Sequence, residues 1–231
     1  MPEYIGCRWR PACLDNNNKN DRETAGMTPL NEYDQRQIAE AIARAERRTD
    51  AELVTVLARR ADDYAYLPLF WAAVLALAVP GLLQMLLGWP GIRGLLVANV
   101  VLFIGLCLLL RHPRLAGWLI PRAWRRWRAS SLARQQFREQ NLQRTHGATG
   151  VLIFVSEAER HVEILVDRGV EQYLDASARA AIVGRFAEQV RQGRTLQGFV
   201  DCIDACGELL SEHVPPTHAR NELPNRLVIL D

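Results

Sequence analysis

The sequence predicts an α/β protein: a small sandwich with a mixed sheet, interrupted by a two-helix transmembrane hairpin. Three observations carry this. Two uncharged apolar runs, Leu69–Leu87 and Gly94–Leu110, lie in the middle of the chain. Short β-rich segments stand on both sides of them, Leu53–Leu57 before and Gly150–Ser156 and His161–Asp167 after. Segments with helical periodicity and recognisable ends bracket the strands.

The apolar runs come first because they decide the class. A bilayer core takes about 20 apolar residues at roughly 1.5 Å each. Residues 64–92 contain no charge, and Gly94–Leu110 contains none either and a single amide, Asn99. The competing reading, a pair of buried core helices, asks a 231-residue chain to cover both with little protein to spare. Pro80-Gly81 interrupts the first run as a kink, and Asn99 is placed to bond across to it. The turn Gly88-Trp-Pro-Gly-Ile-Arg93 forces a hairpin, so both flanks share one side.

Charge sets the orientation. From Tyr64 to Arg138 there is no Asp or Glu. Arg59 and Arg60 precede the first run, six arginines fall between Arg111 and Arg128, and the turn has one, Arg93. Lysine and arginine accumulate on the cytoplasmic side of short loops, which predicts a two-pass inner (plasma) membrane protein with both termini cytoplasmic. Trp118, Trp124 and Trp127 interleave with Arg111, Arg114, Arg122, Arg125, Arg126 and Arg128. Directly after a membrane helix this pattern favours contact with the bilayer and its anionic headgroups over nucleic acid. From Gly150 to the end, 13 acidic residues outweigh 8 basic ones, as suits a part in water.

The remaining elements follow from periodicity. Asn31–Arg48 reads as a helix, with Asn31 as N-cap, Asp34 in capping-box position, and Ile38, Ala41, Ile42 and Ala45 as its inner stripe. Ser130–Thr145 is a polar helix. Gly150–Ser156 is apolar throughout, as a strand buried on both faces is, and a short turn joins it to His161–Asp167. Ala176–Arg191, stopped by Gly193, and Thr195–Val214, stopped by Pro215-Pro216, are amphipathic helices. Cys202 and Cys206 fall on the inner face of the last one; the five cysteines show no metal spacing and fit a reducing compartment. The expected organisation is 1–27, an Asn-rich disordered tail or an extension ahead of a start at Met27; 28–63 and 129–214, two parts of one domain; 64–110, the hairpin; 111–128, the basic surface segment; and 215–231, an irregular tail.

The block Thr149-Gly-Val-Leu-Ile-Phe-Val-Ser156, Arg160-His-Val-Glu-Ile-Leu-Val-Asp-Arg-Gly-Val-Glu171, Gly193 and Gly198-Phe199 resembles the TPM domain family. Thr49-Asp-Ala-Glu-Leu-Val-Thr-Val56 extends the likeness to the first half. Asp62-Asp63-Tyr64 and Asn221-Glu-Leu-Pro224 resemble a bacterial, membrane-anchored branch of it. The resemblance implies an α/β sandwich. It also implies two activities: acid phosphatase chemistry with bound calcium, as linked to plant relatives, and assembly or maintenance of membrane complexes. The chain departs from the family at Ser156-Glu-Ala-Glu-Arg160 and Asp167-Arg-Gly169, which weighs against inherited phosphatase chemistry.

An enzyme here has to use carboxylates at strand ends: Asp62, Asp63, Glu157, Glu159, Asp167 and Glu171. Oxygen-rich clusters hold Ca²⁺ or Mg²⁺, and Asp62, Asp63 and Asp167 are the expected ligands if the first and third strands present them on one edge. There is no EF-hand loop and no phosphate-cradling glycine loop, and His146, His161 and His213 have no evident partner in the sequence. Solvated strand-end carboxylates therefore remain the favoured reading. The expected function is a membrane-anchored interaction or assembly module acting on a membrane protein complex, with a divalent-metal-dependent phosphomonoester hydrolase as the alternative.

Overall fold

The structure is a computed structural model that describes residues 6–8, 30–61, 66–87, 92–110, 122–145, 147–217 and 223–230. The chain divides into two compact units. Residues 1–61 and 126–231 form one, and residues 62–125 the other.

The first unit is built on a five-stranded sheet: β1 (Gly6–Arg8), β2 (Glu52–Ala58), β3 (Gly150–Ser156), β4 (His161–Val166) and β5 (Leu227–Leu230). Their spatial order is β1-β4-β3-β2-β5. β2 and β3 pair in parallel over seven residues, Glu52 opposite Gly150 and Ala58 opposite Ser156. β3 and β4 form the antiparallel hairpin, and β5 lies parallel to the other edge of β2. The sheet is mixed, as the sequence predicts.

Both central strands are buried along their whole length, which explains their largely apolar character; Glu52, Thr55 and Ser156 are the polar residues in them. Successive side chains point to opposite faces. Leu53, Leu57, Val151, Ile153 and Val155 enter the larger core, against α1 (Glu32–Glu46), α5 (Ala176–Arg191) and α6 (Thr195–Ser211). Val54, Val56, Ala58, Leu152 and Phe154 enter the smaller one, against α4 (Arg122–Glu139) and the following 3₁₀ turn, Leu142–Arg144. The unit is thus three-layered, with three helices on one face of the sheet and α4 on the other.

α1 starts where its cap predicts: Asp34 N donates to Asn31 Oδ1 at 2.8 Å and Asn31 N to Asp34 Oδ2 at 2.9 Å. Its inner stripe, Ile38, Ala41, Ile42 and Ala45, is fully buried. α6 packs close to it because Gly207 has no side chain: a Cβ there would stand 2.7 Å from that of Ala45. Phe186 and Phe199 meet edge-to-face at 5.1 Å and tie α5 to α6.

Two strands lie where the sequence predicts none. Residues 1–27 read as a tail, yet Gly6–Arg8 pairs antiparallel with β4. Residues 215–231 read as irregular, yet Leu227–Leu230 pairs with Thr55–Ala58. Three and four residues are too few to show a two-residue period, and the partner strand supplies the order. α4 also begins earlier than Ser130, so the basic segment 111–128 ends inside a helix.

The second unit contains α2 (Tyr66–Leu87), with Pro80 inside it, and α3 (Ile92–Leu110), which pack against each other. Asn99, expected to bond across to the first helix, has its Oδ1 buried without a hydrogen-bond partner among the described residues. Among the described residues no helix is long and apolar enough to cross a membrane.

The docking of β5 carries a pH dependence. Glu46, at the end of α1, accepts a hydrogen bond from Leu53 N at 3.0 Å. Burial pushes its carboxyl up to about 8; the Leu53 N–H and the Asn225 side chain oppose the rise, and the nearby Glu52 carboxylate adds to it. Glu52 in turn receives Leu223 N at 3.2 Å, just ahead of β5. A carboxyl raised on folding contributes stability below its unfolded value, 4.5, and that contribution is lost as pH rises through about 8. Glu46→Gln is therefore expected to flatten the fall in melting temperature between pH 4.5 and 8. A slope identical to that of the native chain would contradict this assignment.

Candidate functional site

Three parallel strands, β2, β3 and β5, all end at the same edge of the sheet. In open α/β sheets ligands bind outside such carboxyl ends, and the polar residues of this unit gather there. The β3–β4 turn, Glu157–Arg160, closes over the edge, with Arg160 N donating to Glu157 O at 3.1 Å. Arg160 sits at φ 51°, in the left-handed region that favours glycine or asparagine. Ala58 and Arg59 hold the turn through their carbonyls, which accept from Glu157 N at 2.9 Å and Ala158 N at 3.1 Å.

The floor of this edge is a buried polar network. Ser156 and His161 stand opposite each other, and His161 and Glu163 point to the same side of β4, toward α4. Ser130, on α4, donates to Glu163 Oε2 at 2.6 Å, and the same oxygen lies 3.0 Å from His161 Nε2. Ser156 Oγ donates to Glu159 Oε2, which also accepts from Ala61 N at 3.0 Å. Ser130, Glu159, His161 and Glu163 are 2, 6, 3 and 6 % exposed. Burial pushes the Glu163 carboxyl up, but the hydrogen bonds from His161 and Ser130 and the charges of His161 and Arg134 outweigh it, so the group lies below its ordinary value. Above the floor, burial raises Glu157 against the opposing charge of Arg59, and burial lowers Arg160.

Ser130, His161 and Glu163 have the composition of a nucleophilic triad but not its geometry. In a triad the imidazole stands between hydroxyl and carboxylate and uses both ring nitrogens. Here Glu163 approaches Nε2, the nitrogen that also faces Ser130 Oγ at 3.4 Å, and the serine proton goes directly to the carboxylate. With every member buried, the cluster pins α4 to β4.

Of the expected metal ligands, Asp62 and Asp63 lie outside the described residues. Asp167 follows β4. β4 runs antiparallel, so Asp167 N donates to Gly150 O at the end of the sheet where β2 and β3 begin. Its Oδ1 accepts from Arg168 N at 2.8 Å, and its Oδ2 is buried without a hydrogen-bond partner among the described residues. Among the described residues no three His, Cys, Asp or Glu side chains stand close enough to hold a metal ion. Glu171 is exposed beyond β4.

The histidines divide. His146 lies outside the described residues, His213 stacks on Tyr173 at 4.7 Å, and His161 has the partners above. The two-residue spacing of His161 and Glu163 on a strand is the signal that could have paired them; Ser130 joins them only once α4 is docked. Of the membrane-surface residues, Arg111, Arg114 and Trp118 lie outside the described residues. Arg122 opens α4, on which Trp124, Arg126 and Trp127 are exposed and Arg125 and Arg128 half-buried. Cys202 and Cys206 are buried free thiols, as expected of inner-face residues; a hydrogen bond to Cys206 and burial raise the Cys202 thiol. Two surface depressions lie elsewhere: one of about 380 Å³ between α5 and α6, and one of about 570 Å³ lined by Arg44, Arg47, Arg48, Asp204 and Glu208. The Arg44–Asp204 and Arg48–Asp204 pairs, at 3.9 and 3.6 Å, are half-exposed and worth less than about 1 kcal/mol each.

Residues 124–209 match the TPM domain. The match starts in α4 and ends in α6, so it contains Ser130, Ser156, Glu159, His161 and Glu163. No curated protein matches the chain. The chain is similar in structure to the BA42 protein of the psychrophilic bacterium Bizionia argentinensis, solved by NMR. The TM-score is 0.55 at 18% identity, over 87% of this chain and 96% of that one, a likeness of fold. The TPM part thus places its network at the α4–sheet contact.

Removal of the Ser130 hydroxyl leaves a buried carboxylate with one fewer donor, which costs about 1–3 kcal/mol. Ser130→Ala is expected to lower the unfolding free energy by that amount, read from chemical denaturation. The loss should be largest above pH 4.5, where Glu163 is ionised, and should shrink as pH falls through its lowered folded value. A variant as stable as the native chain at neutral pH would show that the pin contributes nothing.

Proposed function

We propose that this chain is a membrane-anchored TPM module that works by holding a partner in a membrane protein complex. The observation that carries the reading is the character of α2 and α3. They run 22 and 19 residues, roughly 33 and 28 Å, against a hydrocarbon core of about 30 Å. α2 has no charged residue, and α3 has one, Arg93, next to its start. Large apolar side chains face outward along both: Leu77, Val97, Val101 and Leu108 are 74, 64, 64 and 67% exposed. Water does not tolerate such continuous apolar surface, and lipid covers it without cost. The arginine bias on the two flanks puts both ends of the pair on the cytoplasmic side of an inner membrane.

Two features of the TPM unit support interaction over turnover. Its polar network is internal, with Ser130 and His161 committed to Glu163. Its outward polar groups are scattered arginines and carboxylates on helices. The phosphomonoesterase alternative requires a Ca²⁺ or Mg²⁺ site that includes Asp62 and Asp63.

Washing of membranes with alkaline carbonate, followed by assay of the purified chain on a phosphomonoester with Ca²⁺ or Mg²⁺, tests both halves. The chain should stay in the pellet and show no metal-dependent turnover. Release into the wash contradicts the anchor. Turnover abolished by Asp62→Ala contradicts the interaction role.

A further inference from the structure

α4 has two halves of different character. From Ala129 onward it is a core helix: Ala129, Ser130, Ala133 and Gln136 are buried. One turn earlier it is a surface. Trp124 and Trp127 are 44 and 47% exposed, Arg126 is exposed, and the Arg128 guanidinium lies 5.8 Å from the centre of the Trp127 ring. We propose that this N-terminal half of α4 is a binding surface for the anionic headgroups of a phospholipid bilayer.

Three considerations choose that occupant. First, the sign along the chain is uniform: no Asp or Glu occurs from 64 to 138, whereas arginines stand at 122, 125, 126 and 128. Second, the aromatic component is indole, whose apolar ring and polar N–H suit the headgroup level, between hydrocarbon and water. Third, the helix is held in a fixed rotation. The Ser130–Glu163 bond, 2.6 Å and buried, lies one turn after Arg126 and keeps Arg126 and Trp127 turned outward. Ser130 acts here as a positioning residue. The inference rests on the membrane reading in one respect: in the sequence α4 follows α3 after only eleven residues, 111–121.

The test uses the full chain in nanodiscs of phosphatidylcholine alone or with phosphatidylglycerol, read by amide hydrogen exchange. Each arginine near an anionic leaflet strengthens association about fivefold. Phosphatidylglycerol should therefore slow exchange in residues 122–128 by about 25-fold, and Arg126→Gln with Arg128→Gln should abolish the slowing. High salt should weaken it, whereas Arg138→Gln, at the far end of α4, should leave it intact. Equal exchange in both lipids, with α2 and α3 protected, overturns the surface and leaves the membrane reading standing. Unprotected α2 and α3 in both lipids overturns the membrane reading. Flotation of the chain on phosphatidylglycerol but not phosphatidylcholine vesicles then still supports the surface, and its failure overturns it. Slowing by single-stranded RNA in phosphatidylcholine discs, with none from phosphatidylglycerol, overturns lipid in favour of nucleic acid.

Discussion

The parallel pairing of β2 with β3 is the constraint on which the rest depends. The two strands are separated in sequence by residues 59–149, and that interval contains both helices of the second unit. Closing so long a loop costs entropy, although the cost grows only slowly with length. What repays it is burial: seven residue pairs, all buried, whose apolar members alternate between two cores. If β2 stood alone it would be an unbroken hydrophobic edge, with β5 as its other neighbour and too short to replace β3. The domain can therefore accept a large insertion, because the contact that closes it is dense and central.

The polar residues of the TPM part are arranged around the same sheet with a different task. α4 covers the smaller core with two small buried side chains, Ala129 and Ala133, and with the partly buried Leu132 and Phe137 beside them. A hydrogen-bonded carboxylate compensates in specificity. Glu163 is costly to bury alone, but with Ser130 and His161 as partners it is held ionised and fixes the register of α4 on β4. The Ser156–Glu159–Ala61 contacts do the same for the chain leaving β2. Polar satisfaction thus accumulates where the helix face is least hydrophobic.

Much of the fold was legible because its elements are long and periodic. The Asn31–Asp34 cap, the helix Ala176–Arg191 and the strand Gly150–Ser156 fall where spacing places them. β1 and β5 were not legible, since an edge strand of three or four residues takes its conformation from its neighbour. The candidate site was less legible still. Carboxylates were expected at one edge, but strand direction decides which edge, and the antiparallel β4 carries Asp167 away from residue 61. His161 acquired partners from α4, a contact that no local pattern encodes. The Glu46–Glu52 pair escaped notice for the same reason: it forms at the junction of α1, β2 and the segment before β5.

Native-state hydrogen exchange across the sheet tests the central claim most directly. If β2 and β3 are one cooperative unit, the amides of Val54–Val56 and Leu152–Phe154 should open with the same free energy, within about 1 kcal/mol, and that value should equal the global stability of the unit. Exchange of β2 at markedly lower free energy than β3 would contradict the account. It would mean that residues 150–211 hold together without the first strand, and that the pairing across the insertion is an accessory.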